Sequence, residues 1–188
     1  MQYNCLYADY DTLGIGHDGS LDAVTSLVSD AFLYPILRDR YGAYGVMHAA
    51  MEDEGIYIIS YRDPNVRQTF EVYESLPQLI RDLAPDQRTL DGYILSSYSA
   101  YAMPSGELSG AVSAIVNVLQ GKAQDRALTA MRELKSVTPE TIQRAASFYA
   151  VLAERGVRST AGSRSAIEAN AQLYDTILRP FDAKADAD

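Results

Sequence analysis

Arg38 and Tyr44 are the strongest candidates for chemistry in this 188-residue chain. Arg38 closes a stretch with helical periodicity, where the negative end of the helix dipole favours a cation. Tyr44 opens a run that alternates like a strand, and Gly42, Ala43 and Gly45 around it leave room for another backbone to come close. A guanidinium and a phenol beside an open strand can donate hydrogen bonds to a peptide carbonyl, or to negative charge developing on one. The plainer alternative is that Arg38 only caps its helix and Tyr44 only packs.

Other constellations are incomplete. Gly14-Ile-Gly16-His-Asp-Gly19 spells G-x-G-x-x-G, the pattern that lets a pyrophosphate approach a helix N-terminus. Asp11–Leu13 separate it from the first strand, that strand alternates instead of being buried on both faces, and the acids that follow lie in a tight hairpin. Nucleotide binding is therefore the weakest of three functional readings. His17 and His48 cannot build a zinc site alone, since H-x-x-E-H, H-E-x-x-H and a cysteine pair are all missing. There is no G-x-S-x-G elbow and no Walker A motif. Cys5 sits in a strand-like run and reads as a buried, inert thiol. No complete catalytic set is present in this chain alone, and no metal is expected in it.

The elements that must position Arg38 and Tyr44 can be read from periodicity. Residues 2–10 alternate as a strand, and Ser20–Leu37 carry an apolar stripe every three or four positions, with Pro35 expected to kink or tighten the last turn. Two alternating runs, Ala43–Met51 and Ile56–Tyr61, flank Glu52–Gly55, a link too short for a crossover, so the strands are antiparallel. Asp63–Pro64 reads as an N-cap and first helical residue of a helix that breaks at Ser75 and Pro77. Asp86 caps a helix ended by residues 103–106. Amphipathic helices follow over 107–120, 125–134 and 139–155, then a strand at 157–161 and a final helix opened by a capping box at Ser165–Glu168. This order predicts an α+β domain of two layers, a largely antiparallel sheet with helices packed on one face. One domain over 1–181 and a polar tail over 182–188 are expected.

Composition bounds the partners. Hydrophobic residues make up 47% and charged residues 22%, enough for a sizeable core. The net charge of −9 argues against nucleic acid or an anionic membrane surface, whose phosphates would be repelled. A single cysteine excludes an internal disulfide and fits a reducing compartment such as the cytoplasm. The first ten residues have neither a basic start nor an apolar stretch, so no signal peptide is expected there.

Two stretches carry a family resemblance. Leu37-Arg-Asp-Arg-Tyr-Gly-Ala-Tyr-Gly45 resembles the L-R-x-x-G-G-A-Y-G segment of the pitrilysin/insulinase superfamily of zinc metallopeptidases. Ser60-Tyr-Arg-Asp-Pro-Asn65, followed by Thr69–Phe70, is similar to the S-Y-R-D-P-N…T-L/F of its presequence-protease branch. The resemblance implies a metallopeptidase-type domain, one of four around a closed chamber. It also implies that this chain is the zinc-free C-terminal domain, with zinc in the N-terminal domain of a parent enzyme. Arg38 and Tyr44 would then reach the backbone of an unfolded peptide substrate near its scissile bond, and the partners would be the parent's other domains. The alternative is a stand-alone, non-catalytic homologue that assembles with a separate zinc-bearing subunit. Tyr41 stands where the family has the first glycine of its pair, which implies a stiffer link, and Pro35 would shift Arg38.

Overall fold

A computed structural model describes residues 1–103, 106–123 and 125–179. The tail expected at 182–188 and part of the helix stop expected at 103–106 lie outside them. A four-stranded sheet forms the base of the fold, in the order β2–β3–β1–β4, with every pairing antiparallel. Its strands are β1 (Gln2–Ala8), β2 (Gly45–Met51), β3 (Gly55–Asp63) and β4 (Val157–Ala161). Leu6, Ala8, Val46, Ile56 and Ile58 point to the covered face and are buried. Tyr3, Tyr7, Met47 and Tyr57 point the other way and are at least partly exposed, which is the alternation the sequence predicts.

Among the described residues the helices cover one face of the sheet, as expected. Leading from β1 are the one-turn α1 (Tyr10–Leu13), capped by Asp9, and α2 (Ser20–Val28). The chain continues without interruption as a π-helical segment, Ser29–Arg40. Then come α3 (Arg67–Asp82), α4 (Gln87–Ala102), α5 (Glu107–Leu119), α6 (Arg126–Leu134) and α7 (Pro139–Arg155). α3 and α7 pack against each other and on β1, α2 and the π segment lie on β2, and α4 and α6 form a further layer over α2. Leu33, Leu37, Leu76, Ile80 and Ile142 are fully enclosed where these helices meet. Burying each such side chain stabilises the fold by about 1.5–3 kcal/mol.

Four expectations are corrected. Pro35 does not tighten its turn; the helix widens around it. A proline ring clashes with the carbonyl four residues back, and the wider π repeat removes that clash. Pro77 does not break α3, which runs unbroken with Pro77 among its buried residues. The final helix is short, α8 (Arg164–Glu168) and a 3₁₀ turn at Ala171–Leu173, because Tyr174 leaves it to donate a hydrogen bond to Thr160 on β4. None of the apolar residues of α5 is buried among the described residues, and Leu108, Val112 and Ile115 are exposed.

The fifth correction concerns Asp63. It does not cap a helix, since α3 starts at Arg67. Asp63 ends β3 with its carboxylate fully buried. Its Oδ2 accepts from Thr69 Oγ1 at 2.6 Å and from Asn4 Nδ2 at 3.3 Å, and its Oδ1 accepts from the Asn65 N–H at 2.8 Å. Asn4 is also buried and donates to the Asn65 carbonyl at 2.9 Å. A carboxylate can be enclosed here only because its lone pairs are met by fixed donors. Replacing Asp63 with alanine strands the buried Thr69 hydroxyl and the part-buried Asn65 N–H, and the unfolding free energy is expected to fall by about 3 kcal/mol in urea titrations. A loss below about 0.5 kcal/mol would show that this junction does not hold the fold.

Candidate functional site

Arg38 and Tyr44 are placed by the end of the π segment. The Tyr41 N–H donates to the Ile36 carbonyl at 3.0 Å, the Gly42 N–H to Arg38 at 3.1 Å, and the Ala43 N–H to Leu37 at 2.9 Å. Each bond spans one residue more than in an α-helical left-handed stop, which is how the wide helix closes. Gly42 has φ 81°, so this position needs a glycine. Tyr41 does not, because its own backbone is right-handed, and it tolerates a side chain where the family has glycine. Leu37 and Ala43 are buried and anchor the turn, while Arg38 is exposed and Tyr44 is 61% exposed.

Tyr44 rests on two residues of β3. Its ring lies 5.7 Å from that of Tyr61 at a tilt of 59°, and the Arg62 guanidinium lies 5.1 Å from its ring centre. Tyr61 in turn lies across Gly45, its register partner, where an added Cβ would sit 2.6 Å from Tyr61 Cζ. Gly45 therefore keeps the strand open for a ring to cross it. A further bond joins the two stretches, because Asn65 Nδ2 donates to the Tyr41 carbonyl at 2.9 Å. Among the described residues no hydrogen bond or ion pair occupies the Arg38 guanidinium, the Tyr44 hydroxyl or the Arg62 guanidinium. Among the described residues Tyr44 and Arg62 are thus unpaired at the start of the edge strand β2, and Arg38 is unpaired near the end of the π segment.

Tyr61 and Arg62 were not singled out from the sequence, although a signal existed. Strict alternation from Ile56, Ile58 and Ser60 would put Arg62 in the core and Asp63 in solvent. The structure reverses this. Tyr3 pairs with Tyr61 and Gln2 with Asp63, so Arg62 is an extra residue in a β-bulge, exposed and with φ 48°.

The remaining candidates are engaged elsewhere. His17 meets the Tyr10 ring edge-on at 5.9 Å. The Nε2 of His48 lies 3.0 Å from the Tyr149 hydroxyl and its Nδ1 lies 3.4 Å from Ser29 Oγ. Among the described residues no three His, Cys, Asp or Glu side chains form a group able to hold a metal. Burial pushes the Cys5 thiol up, away from the reactive thiolate. In the glycine loop, the Gly19 N–H donates to Glu133 Oε2 at 2.8 Å and the Ser20 N–H to Asp18 Oδ1 at 2.7 Å. Carboxylates thus occupy the amides that a pyrophosphate would use. A Cβ at Gly19 would lie 2.6 Å from the Ala130 backbone, so this glycine serves close packing.

The antiparallel sheet with helices on one face defines an α+β domain. A family model described as the PreP C-terminal domain matches residues 6–149, and the chain belongs to that family of pitrilysin-like peptidase domains. The chain is similar to Protein HypA of Clostridium perfringens, 28% identical over 178 residues, which cover 94% of this chain and 18% of that protein. It is also similar to Presequence protease 1, chloroplastic/mitochondrial, of Arabidopsis thaliana, 25% identical over 156 residues, covering 81% and 14%. The chain thus spans less than a fifth of these curated relatives. Among solved structures it resembles pitrilysin, with a TM-score of 0.58 and 14% identity over 85% of this chain and 18% of that one. It also resembles the inactive peptidase domain of a putative zinc protease from Bordetella parapertussis, with a TM-score of 0.62 and 13% identity over 86% and 90%. At these identities the structural likeness shows the fold alone. No helix among the described residues is long and apolar enough to cross a membrane.

His48 generates a pH prediction. Burial pushes its pKa down to about 3, against a smaller opposing effect from a backbone hydrogen bond at Thr25. The folded chain therefore keeps His48 neutral while the unfolded chain takes up a proton below about pH 6.5. Its contribution is complete above that pH and is lost as pH falls towards 3. Between pH 6.5 and 5 the wild type is expected to lose about 2 kcal/mol more stability than His48→Phe, measured as urea unfolding at each pH. Equal losses in both proteins would remove the effect.

Proposed function

We propose that this chain is a non-catalytic C-terminal domain of a zinc metalloendopeptidase that degrades unfolded peptides. It supplies substrate and transition-state contacts through Arg38 and Tyr44, and it closes the peptide chamber against the other domains of the parent. The observation that supports this is that Arg38 and Tyr44 are both exposed with unpaired donors, on either side of the turn that leads from the π segment into the edge strand β2, within a family of peptidase C-terminal domains. An extended peptide passing β2 would offer carbonyls to these donors. Hydrogen bonds that strengthen as a carbonyl oxygen gains charge lower the barrier rather than merely tightening binding.

The zinc belongs to the parent's N-terminal domain in this reading. The two histidines here are held by different partners and do not fit it. A reducing compartment such as the cytoplasm suits the single free thiol.

A second reading is a stand-alone homologue that assembles with a separate zinc-bearing subunit. An open reading frame continuing upstream of Met1 supports the first reading, and a neighbouring gene for a zinc-bearing subunit supports the second.

In the full-length peptidase, Arg38→Ala and Tyr44→Phe are each expected to lower kcat by about ten- to a thousand-fold, as for loss of one oxyanion donor, with zinc content unchanged. Wild-type kinetics in both variants would remove the proposed role. The 188-residue chain alone is expected to hydrolyse no peptide and to bind no stoichiometric zinc, read by fluorogenic peptides and metal analysis.

A further inference from the structure

We propose that Arg62 is a positioning residue that fixes the Tyr44 phenol for its contact with the peptide backbone. The proposal rests on the substrate-contact role of Tyr44 given above and extends it to a residue on a different strand.

Three observations carry it. Arg62 has φ 48°, and it is the one non-glycine residue with positive φ among those described. A residue with a β-carbon rarely adopts this conformation, whereas glycine or asparagine adopts it with little strain. The position therefore keeps a side chain that its backbone disfavours. Secondly, Arg62 is the extra residue of the bulge in β3, between Tyr61 and Asp63. A bulge re-aims a side chain that a regular strand would send to the opposite face. Here it lets Tyr61 and Arg62 both reach Tyr44, and the following Asp63 is locked by its buried hydrogen bonds. Thirdly, the Arg62 guanidinium lies 5.1 Å from the centre of the Tyr44 ring and has no carboxylate partner among the described residues. A planar cation attracted to the ring face, together with the Tyr61 ring packed against the same phenol, restricts its freedom to turn. Without Arg62 an exposed tyrosine would sample several rotamers and spend less time in the productive one.

Two arrangements of the same residues must be separated. If Arg62 only stabilises the bulge, its removal weakens the fold. If it works through Tyr44, its removal weakens turnover and the fold gains. Arg62→Gly relieves the left-handed backbone, so the 188-residue chain is expected to melt unchanged or about 2 °C higher. In the full-length peptidase the same variant is expected to lower kcat about 3- to 30-fold, with KM within about two-fold, since a misaimed donor acts in the transition state. Arg62→Lys, which keeps the charge but not the planar face, should recover only part of the loss. The double variant Arg62→Gly/Tyr44→Phe should be no slower than Tyr44→Phe alone, because Arg62 acts through the hydroxyl that Tyr44→Phe removes.

The proposal is overturned by wild-type turnover in Arg62→Gly when Tyr44→Phe is slow, and the role of Tyr44 then stands. Additive losses in the double variant also overturn it, as does a fall of several degrees in melting temperature that accompanies the loss of turnover. Wild-type turnover in Tyr44→Phe removes the Tyr44 contact and this inference together.

Discussion

The buried carboxylate of Asp63 is the interaction on which the rest of this corner depends. It gathers the first residues of β1 through Asn4, the first turn of α3 through Thr69, and the connecting loop through Asn65. Asn65 then donates to the Tyr41 carbonyl and fixes the link between the π segment and β2. One charge with its donors thus sets the positions of both strands of the hairpin and of the helix that follows. Such an arrangement tolerates no partial satisfaction, because a stranded donor in this environment costs more than its hydrogen bond contributes. That demand overrides the local preference of Asp–Pro to begin a helix. The residues Ser60–Asn65 look like punctuation in the sequence, but they are the framework of the site.

Order at Asp63 is coupled to strain at its neighbour. The bulge that turns Asp63 inward turns Arg62 outward in a left-handed backbone. Strain of this kind persists only where the surroundings over-determine it, and the hydrogen bonds of Asp63 do so. The widened helix around Pro35 is a second departure from regular geometry, on the opposite approach to the same corner. π-helical turns, bulges and left-handed residues each carry a cost, and here they converge on Tyr44 and Arg38. A different kind of irregularity lies in α5, whose apolar residues face away from the described core. It is remote from the Asp63 network in sequence and is tied to it by none of these bonds.

Much of the fold was legible because burial follows period. The alternation in residues 2–8, 43–51 and 56–61, and the helical stripes in α2, α3 and α7, each report one apolar face, and one set of faces must meet another. The short Glu52–Gly55 link allowed only antiparallel pairing. Arg38 and Tyr44 were legible as candidates because a guanidinium and a phenol beside glycines are groups able to donate to a peptide carbonyl. What failed was local inference where a distant partner decides. Asp63 met Asn4 across the sheet, Glu133 reached the glycine loop from α6, and Tyr174 left its helix for Thr160.

By itself, then, the sequence determined the α+β class, the hairpin at its centre, the covered face of the sheet and the two exposed candidates. These follow from nearest-neighbour geometry and the free energy of burying apolar surface, both readable along the chain. Only the tertiary structure decided that Arg62 leaves the alternation, that Asp63 is a buried junction and not a cap, and that Tyr44 packs on Tyr61 and Arg62. A buried charge must find its donors wherever the fold supplies them, and a bulge shifts the phase of a strand by one residue. Neither event leaves a periodic trace, because each is set by atoms that are close in space and far apart in the chain.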